Sequence, residues 1–342
     1  MPRAGELEVE EVVAGLKAAA DSTRLRILLL LAAGELNVKD LTRVLGQSQP
    51  RISRHVKLLG EGGLIERVRE GSWVFCRLAE GPRGDLARAV LQAVDTADPV
   101  YVRDRQRAEA LKAEREGAAQ AYFRTHATDW DRIRALHVSE AEVEEAMRAA
   151  LGDEHADLLL DLGTGTGRTL ELFSKLYDRG VGIDVNQSML AYARAKLRRE
   201  GLGHAQVRHG DIYNLAFADG VADAIVMHQV LHFLSDPAHA IREAARVLAP
   251  GGRLLIVDFA PHTLEFLREQ FAHERLGFSA AQVGQWLADA ELSLIHSREL
   301  APPAGRGAGK LTVSLWLATR AKSRKGSLSV RSEALQPMES LT

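Results

Sequence analysis

The hydrophobic positions change their period along the chain, and each change marks an element. Residues 23–33 form a dense apolar stretch preceded by Asp21-Ser22 and followed by Gly34, which predicts a capped helix. A second short helix is expected over 36–45, ended by Gly46. Ser48 then stands as a cap and Pro50 suits a first turn, so a third helix is expected over roughly 49–59. Within it Ile52, Val56 and Leu59 recur at the i, i+4, i+7 spacing of one buried stripe. After Gly62-Gly63 the period becomes that of strands, and 64–68 with 73–78 read as a hairpin turning at Arg69-Glu70-Gly71-Ser72.

The next stretch, 99–150, is charged and helix-favouring and reads as a helical linker that doubles as a lid. Beyond it, apolar runs alternate with amphipathic helices. Strands are expected at 158–162, 180–185, 222–227 and 253–259, with a terminal pair at 292–300 and 311–319. Helices are expected from Thr169 to about Tyr177 and over 237–248, and the stretch FAHERLGF around His273 also reads as helical. Four regions follow: 1–98, 99–150, 151–320 and a polar, disordered tail 321–342.

Composition narrows the classes. With 342 residues, 46% hydrophobic, the chain can build two or three cored domains. Its 44 basic and 46 acidic residues exclude a globally basic nucleic-acid coat, though not a local patch. The single cysteine, Cys76, cannot build a disulfide framework or a multi-thiolate centre, and no metal is expected. The acidic start lacks a signal-peptide pattern and the longest apolar run, 27–33, is too short to span a bilayer, so a cytoplasmic protein without a membrane partner is expected.

A local patch exists. From Arg43 to Arg77 there are seven basic and three acidic residues, a local excess of four positive charges. The face of the third helix opposite its apolar stripe carries Gln49, Arg51, Ser53, Arg54, His55 and Lys57, the residue types that read base edges and hold phosphates. Two short helices, a tight turn, a polar-faced third helix and a basic hairpin describe a winged helix-turn-helix. The stretches DSTRLRILLLL, QSQPRISRHVKLLGEGGLI and REGSWVFCRL resemble the arsenical-resistance-repressor (ArsR) family of bacterial regulators over 12–80. The resemblance implies a double-stranded DNA operator as partner. The positions from Gln47 through Leu59, Ser48 among them, would enter the major groove, and Arg67, Arg69 and Ser72 would touch backbone. It also implies a homodimer, for which Leu7, Val12, Val13 and Leu16 with Leu86, Ala89, Val90 and Ala93 are interface candidates; completing the monomer core is the other reading. Metal-sensing members place cysteines where this chain has ELNVKDL, so soft-metal sensing of that type is not expected.

In the second half, Asp161 ends an apolar run and Gly163, Gly165 and Gly167 follow at every second position. Glycines between strand and helix let a ligand approach the backbone and its N–H groups. The dinucleotide fingerprint G-x-G-x-x-G is not met. Asp184, 23 residues after Asp161, ends the next strand, where a carboxylate can accept ribose hydroxyls. The stretches DLGTGTG, GIDVNQSML, GDIYNLAF and LAPGGRLLIVDF resemble the class I S-adenosylmethionine-dependent methyltransferases, especially the small-molecule type related to ubiquinone/menaquinone methyltransferases, over 155–320. This implies an α/β Rossmann-like domain with a seven-stranded sheet and S-adenosylmethionine or S-adenosylhomocysteine as cofactor. Asp161, Gly163, Gly165 and Gly167 would then hold the methionine end, Asp184 the ribose, and Asn186, Met189, Asp211 and Ile212 the adenine. His228 is a further candidate cofactor contact. Tyr122, Phe123, Trp130 and Asp131 resemble the segment that folds over the cofactor; ordinary packing is their other reading.

Methyl transfer from a sulfonium needs alignment more than a fixed catalytic group. Candidate bases after the fourth and fifth strands are His228, His232, Asp258 and His262. Arsenite methylation is not expected, since such enzymes use several cysteines and Cys76 lies in the wing. Two functions remain open: a DNA-binding regulator whose cofactor site is coupled to operator affinity and which methylates a small molecule, or a small-molecule methyltransferase whose winged helix only dimerises or gates it.

Overall fold

The computed structural model describes residues 7–126, 140–301 and 311–322. Trp130 and Asp131, residues 302–310 and most of the tail lie outside them. The N-terminal part comprises α1 (Val9–Ala19), α2 (Ser22–Ala32), β1 (Leu36–Asn37), α3 (Val38–Leu45), α4 (Gln49–Glu61), β2 (Ile65–Glu70), β3 (Trp73–Leu78) and α5 (Gly81–Gln92). Asp21 caps α2 by accepting from Arg24 N at 3.0 Å. The helix expected from residue 36 instead starts at Val38. Asn37 is its cap, exchanging hydrogen bonds with Asp40, and Leu36–Asn37 pair with Cys76 and Phe75 as a third strand beside the wing. Gly46, at φ +65°, ends α3 and leads the chain toward α4. The wing strand β2 runs to Glu70, two residues past the expected end, and pairs antiparallel with β3. Cys76 is fully buried there, and desolvation pushes its thiol up to about 12.

Two helices follow, α6 (Pro99–His126) and α7 (Glu140–Leu151). The second half then alternates β4 (Ala156–Leu162), α8 (Arg168–Leu172), β5 (Tyr177–Asp184), α9 (Gln187–Arg199), β6 (Ala205–His209), β7 (Ala222–His228), a 3₁₀ turn (Leu231–Phe233), α10 (Pro237–Val247), β8 (Leu248–Phe259), α11 (Phe266–Gln270), α12 (Ala280–Asp289), β9 (Leu292–Leu300) and β10 (Val313–Arg320). The helix expected from Thr169 to Tyr177 is a single short turn, because Tyr177 already belongs to β5 and Leu176 O accepts from Ala156 N. FAHERLGF is not helical; its side chains are committed to long-range partners described below.

The sheet order is β6-β5-β4-β7-β8-β10-β9, parallel except for β10, which is antiparallel to both neighbours. Residue parity sorts its two faces. Leu158, Leu160, Ile225, Leu254 and Ile256 pack with Ile241 of α10 and Trp286 of α12. Leu159, Val226, Leu255 and Val257 pack with Met147 of α7 and Leu190 of α9. Having run outward to β6, the chain returns to β7 beside β4, which creates the crevice where such sheets bind ligands. Among the described residues no helix is long and apolar enough to cross a membrane.

The halves are tied together by buried charge. Arg275, between α11 and α12 and fully buried, gives its guanidinium to Glu70 of the wing (3.0 Å) and to Glu35 (2.7 Å), and it stacks on Phe75 at 4.0 Å. Arg115 of α6 joins Asp40 of α3 to Glu274, and Arg268 lies over the Trp73 ring at 4.3 Å. A guanidinium out of water requires these partners, and its removal leaves them uncompensated. Arg275→Ala is expected to cost roughly 3–5 kcal/mol in denaturant unfolding and to split one transition into two, as the domains lose their shared charges. Unfolding followed by circular dichroism and tryptophan fluorescence checks this, and a single transition at the wild-type midpoint contradicts it.

Candidate functional site

The glycine-rich turn after β4 is fixed before any ligand arrives. Gly163 N and Thr164 N both donate to Ile183 O, at 2.8 and 3.0 Å, and Thr164 Oγ1 donates to the buried Asp161 carboxylate at 2.6 Å. Gly163 has φ +74°, and a Cβ added to it would come within 2.3 Å of Val230. Only glycine lets the turn and the segment after β7 approach this closely.

Asp184 stands at the end of β5 across from this turn. Its carboxylate accepts from Gly165 N at 2.9 Å and from Asn186 N at 2.8 Å. Desolvation nevertheless raises its pKa, against the opposing pull of those backbone donors. Asn186 caps α9 through Ser188 N and Met189 N, and its Nδ2 donates to the Gln120 side-chain oxygen at 2.9 Å. Asp211 Oδ1 accepts from Tyr213 N at 2.9 Å.

These groups surround a cavity of about 330 Å³. Of the residues named from sequence, Gly163, Gly165, Asp184, Met189, Asp211, Ile212 and His228 line it, while Asp161, Gly167 and Asn186 stand behind as supports of the turn and helix. His232, Asp258 and His262 are not in the lining. His232 Nδ1 meets Asp258 Oδ1 at 2.7 Å, and both are almost fully buried behind the wall. Sequence reasoning missed Glu116, Gly117, Ala119 and Gln120 of α6, which line the cavity together with Phe123. The small residues of Gly117-Ala118-Ala119 were the available signal, since they let a helix lie close to a neighbour. Tyr122 packs on Phe271, with ring centroids 6.3 Å apart.

On the N-terminal domain, Ser48, Gln49, Arg51, Ser53, Arg54 and Lys57 are exposed along α4, opposite buried Ile52, Val56 and Leu59. His55 is different: its ring turns toward Asp21, 3.7 Å away, and its side chain is 12% exposed. Of the wing residues, Arg67 and Arg69 are exposed, whereas Ser72 N donates to Glu265 of the second half at 2.6 Å.

The sequence family described as "Bacterial regulatory protein, arsR family" matches residues 21–67, and the one described as "Methyltransferase domain" matches 160–256. The chain joins an ArsR-family helix-turn-helix to a methyltransferase domain. An uncharacterised 37.1 kDa protein in transposon TN4556 of Streptomyces fradiae is 40% identical over 116 residues, covering 33% of this chain and 33% of that protein. The ubiquinone/menaquinone biosynthesis C-methyltransferase UbiE of Vibrio parahaemolyticus is 38% identical over 117 residues, covering 33% of this chain and 45% of the relative. The crystal structure of YcgJ from Bacillus subtilis superposes with a TM-score of 0.46 at 20% identity, covering 54% of this chain and 100% of that one. The chain thus spans from a third to under half the length of the two curated relatives. The seven-stranded, mostly parallel sheet is the Rossmann-like core of this methyltransferase domain.

Two outcomes are expected. Gly163→Ala forces the turn away from Val230 and should weaken S-adenosylhomocysteine binding at least tenfold, equivalent to about 1.4 kcal/mol; calorimetry on the folded variant measures it. A carboxylate with a raised pKa gains its proton earlier as pH falls. Affinity that uses the ionised Asp184 should therefore decline at a higher pH than an ordinary aspartate would set. In Asp184→Asn affinity should be weak and lose this pH dependence.

Proposed function

We propose that this protein is an ArsR-type DNA-binding regulator whose methyltransferase domain binds S-adenosylmethionine or S-adenosylhomocysteine, methylates a small molecule, and couples cofactor occupancy to operator affinity. The cofactor fits the residues present. The turn at Gly163 leaves no room for a side chain, Asp184 has acceptor capacity beyond its two backbone donors, and the cavity reaches from there to Asp211. Gly163 and Gly165 would take the methionine end, with Gly167 supporting the turn from behind, Asp184 the ribose, and Met189, Asp211 and Ile212 the adenine. When bound, the cofactor supplies an electrophilic methyl group on sulfur. The chain would supply orientation and a partly dry wall, with His228 at the end of β7 the candidate to take a proton from the acceptor.

One observation carries the coupling. Helix α6 belongs to both functional regions. In its first half Asp104 pairs with Arg26 of α2 at 2.5 Å, Arg107 donates to Val44 O, and Leu111 is buried in the helix-turn-helix core. In its second half Gln120 holds Asn186 and Phe123 meets Phe233 edge to face, with ring centroids 4.7 Å apart, at the cavity wall. A ligand that moves this wall moves a helix on which α2 and α3 rest, and differential affinity for two positions of α6 is what coupling requires.

A homodimer fits the same reading. Val9, Val13 and Leu16 form one stripe on α1 and are 73%, 41% and 46% exposed. Leu86 and Val90 of α5 pack partly against the core beneath, and Ala89 and Ala93 are exposed beside them. Two such domains would present their α4 helices to successive turns of one DNA duplex. The engagement of Ser72 by Glu265 favours a second reading, in which the winged helix only dimerises or gates a small-molecule methyltransferase.

The deciding experiment measures affinity of the full-length protein for its own promoter DNA by fluorescence anisotropy, at fixed salt, with and without S-adenosylhomocysteine. Specific binding whose affinity shifts with S-adenosylhomocysteine is expected. Arg54→Ala should cost roughly 1–3 kcal/mol on specific DNA and less on random DNA. Binding no tighter to promoter than to random DNA would support the gating reading instead.

A further inference from the structure

The turn of the wing is already occupied. Ser72 N, the amide at its tip, donates to Glu265 Oε1 at 2.6 Å, and Gly71 lies so close that an added Cβ would stand 2.0 Å from the same oxygen. Glu265 directly precedes α11 and is steered by Arg268. That guanidinium meets Glu265 Oε2 at 3.1 Å and covers the ring of Trp73, the residue after Ser72, at 4.3 Å. Burial pushes the Glu265 carboxyl up, but the donors from Ser72 and Arg268 outweigh it and hold the group below the usual glutamate range. Glu265 is therefore an anion at neutral pH. Arg69 is exposed yet turned back on the same turn, its Nε donating to Gly71 O at 3.2 Å.

A backbone N–H offers one hydrogen, and an anionic oxygen is its strongest acceptor. Under the DNA-binding reading that oxygen belongs to a phosphate, with Arg67 and Arg69 adding positive charge on the same strand. Glu265 puts a carboxylate oxygen in the same place. Two anions cannot share the donor, and at such a separation they repel each other. The base of the wing does not depend on Glu265, because Glu70 is held by Arg275. The tip can thus exchange partners while the base stays anchored. We propose that Glu265 is an internal competitor for the DNA backbone, an autoinhibitory contact that the wing must give up before its turn can take a phosphate. This rests on the DNA-binding reading of the winged helix.

The test measures binding of the full-length protein to labelled promoter and random duplexes by fluorescence anisotropy over a range of salt. Glu265→Ala should bind both duplexes tighter than wild type, by on the order of threefold or more. Its slope of log affinity against log salt should steepen by about 0.9, the value for one additional phosphate. Glu265→Gln keeps an acceptor for Ser72 but loses the charge, so it should show part of the gain. Glu269→Ala removes the same charge from an exposed position on α11 and should change affinity by less than about twofold. Saturating promoter DNA should also alter the emission of Trp73, obtained by difference from Trp73→Phe, as the ring leaves Arg268. S-adenosylhomocysteine affinity within about twofold of wild type shows that each variant is folded. An equal gain in Glu269→Ala would assign the effect to general charge repulsion and overturn the proposal. Unchanged or weaker DNA binding in Glu265→Ala and Glu265→Gln, or Trp73 emission unmoved by DNA, overturns it as well. Failure of wild type and every variant to bind DNA would instead remove the underlying DNA-binding reading, and this proposal with it.

Discussion

A guanidinium with no access to water must keep its carboxylates, and in this protein those carboxylates belong to another domain. Arg275 comes from the methyltransferase half, Glu70 from the wing and Glu35 from the turn before α3. Isolated, each group would face a large desolvation cost; together they stabilise one relative placement of the halves. Arg115 repeats the arrangement between Asp40 and Glu274. The two regions therefore behave as parts of one electrostatic unit.

The segment that carries Glu274 and Arg275 also reaches the back of the cavity. The backbone N–H groups of both residues donate to His232 O, and His232 follows two residues after Val230, which lines the cavity. The wing, the charged loop and the cavity wall are thus joined by hydrogen bonds at successive steps. Helix α6 provides the second connection, through Gln120 at the cavity wall. Two independent contacts between the same two regions make a rigid-body change at one end hard to confine there.

Much of this was legible in the sequence, and the reason differs by element. The sheet was readable because the middles of β4, β5, β7 and β8 are buried and appear as short apolar runs. The glycine turn and Asp184 were readable because a ligand's needs restrict residue types at fixed spacing. FAHERLGF was misread as a helix because its apolar residues happen to fall at near-helical intervals. What decides its conformation is pairing with Glu70, Glu35 and Arg115, and contacts between distant residues leave no local period. His55 reads in the sequence as part of the polar face, but its ring turns to Asp21, the cap of α2, a partner on another helix that leaves no local period. The left-handed backbone at Gln229 carries no sequence signal, because contacts made in the folded chain, such as Gln229 N to Val257 O, impose it.

The length of α6 has a consequence for how such a protein can change. A residue inserted between Leu111 and Gln120 would rotate everything beyond it by about 100° and advance it by about 1.5 Å. Gln120 and Phe123 would then leave the cavity wall while Asp104 and Leu111 stayed in their places. Seven residues would nearly restore the angular phase but displace the wall by about 10 Å. Exchange of one module for another by recombination would therefore succeed only with junctions placed outside this helix, so the DNA reader and its pocket are inherited as a matched pair.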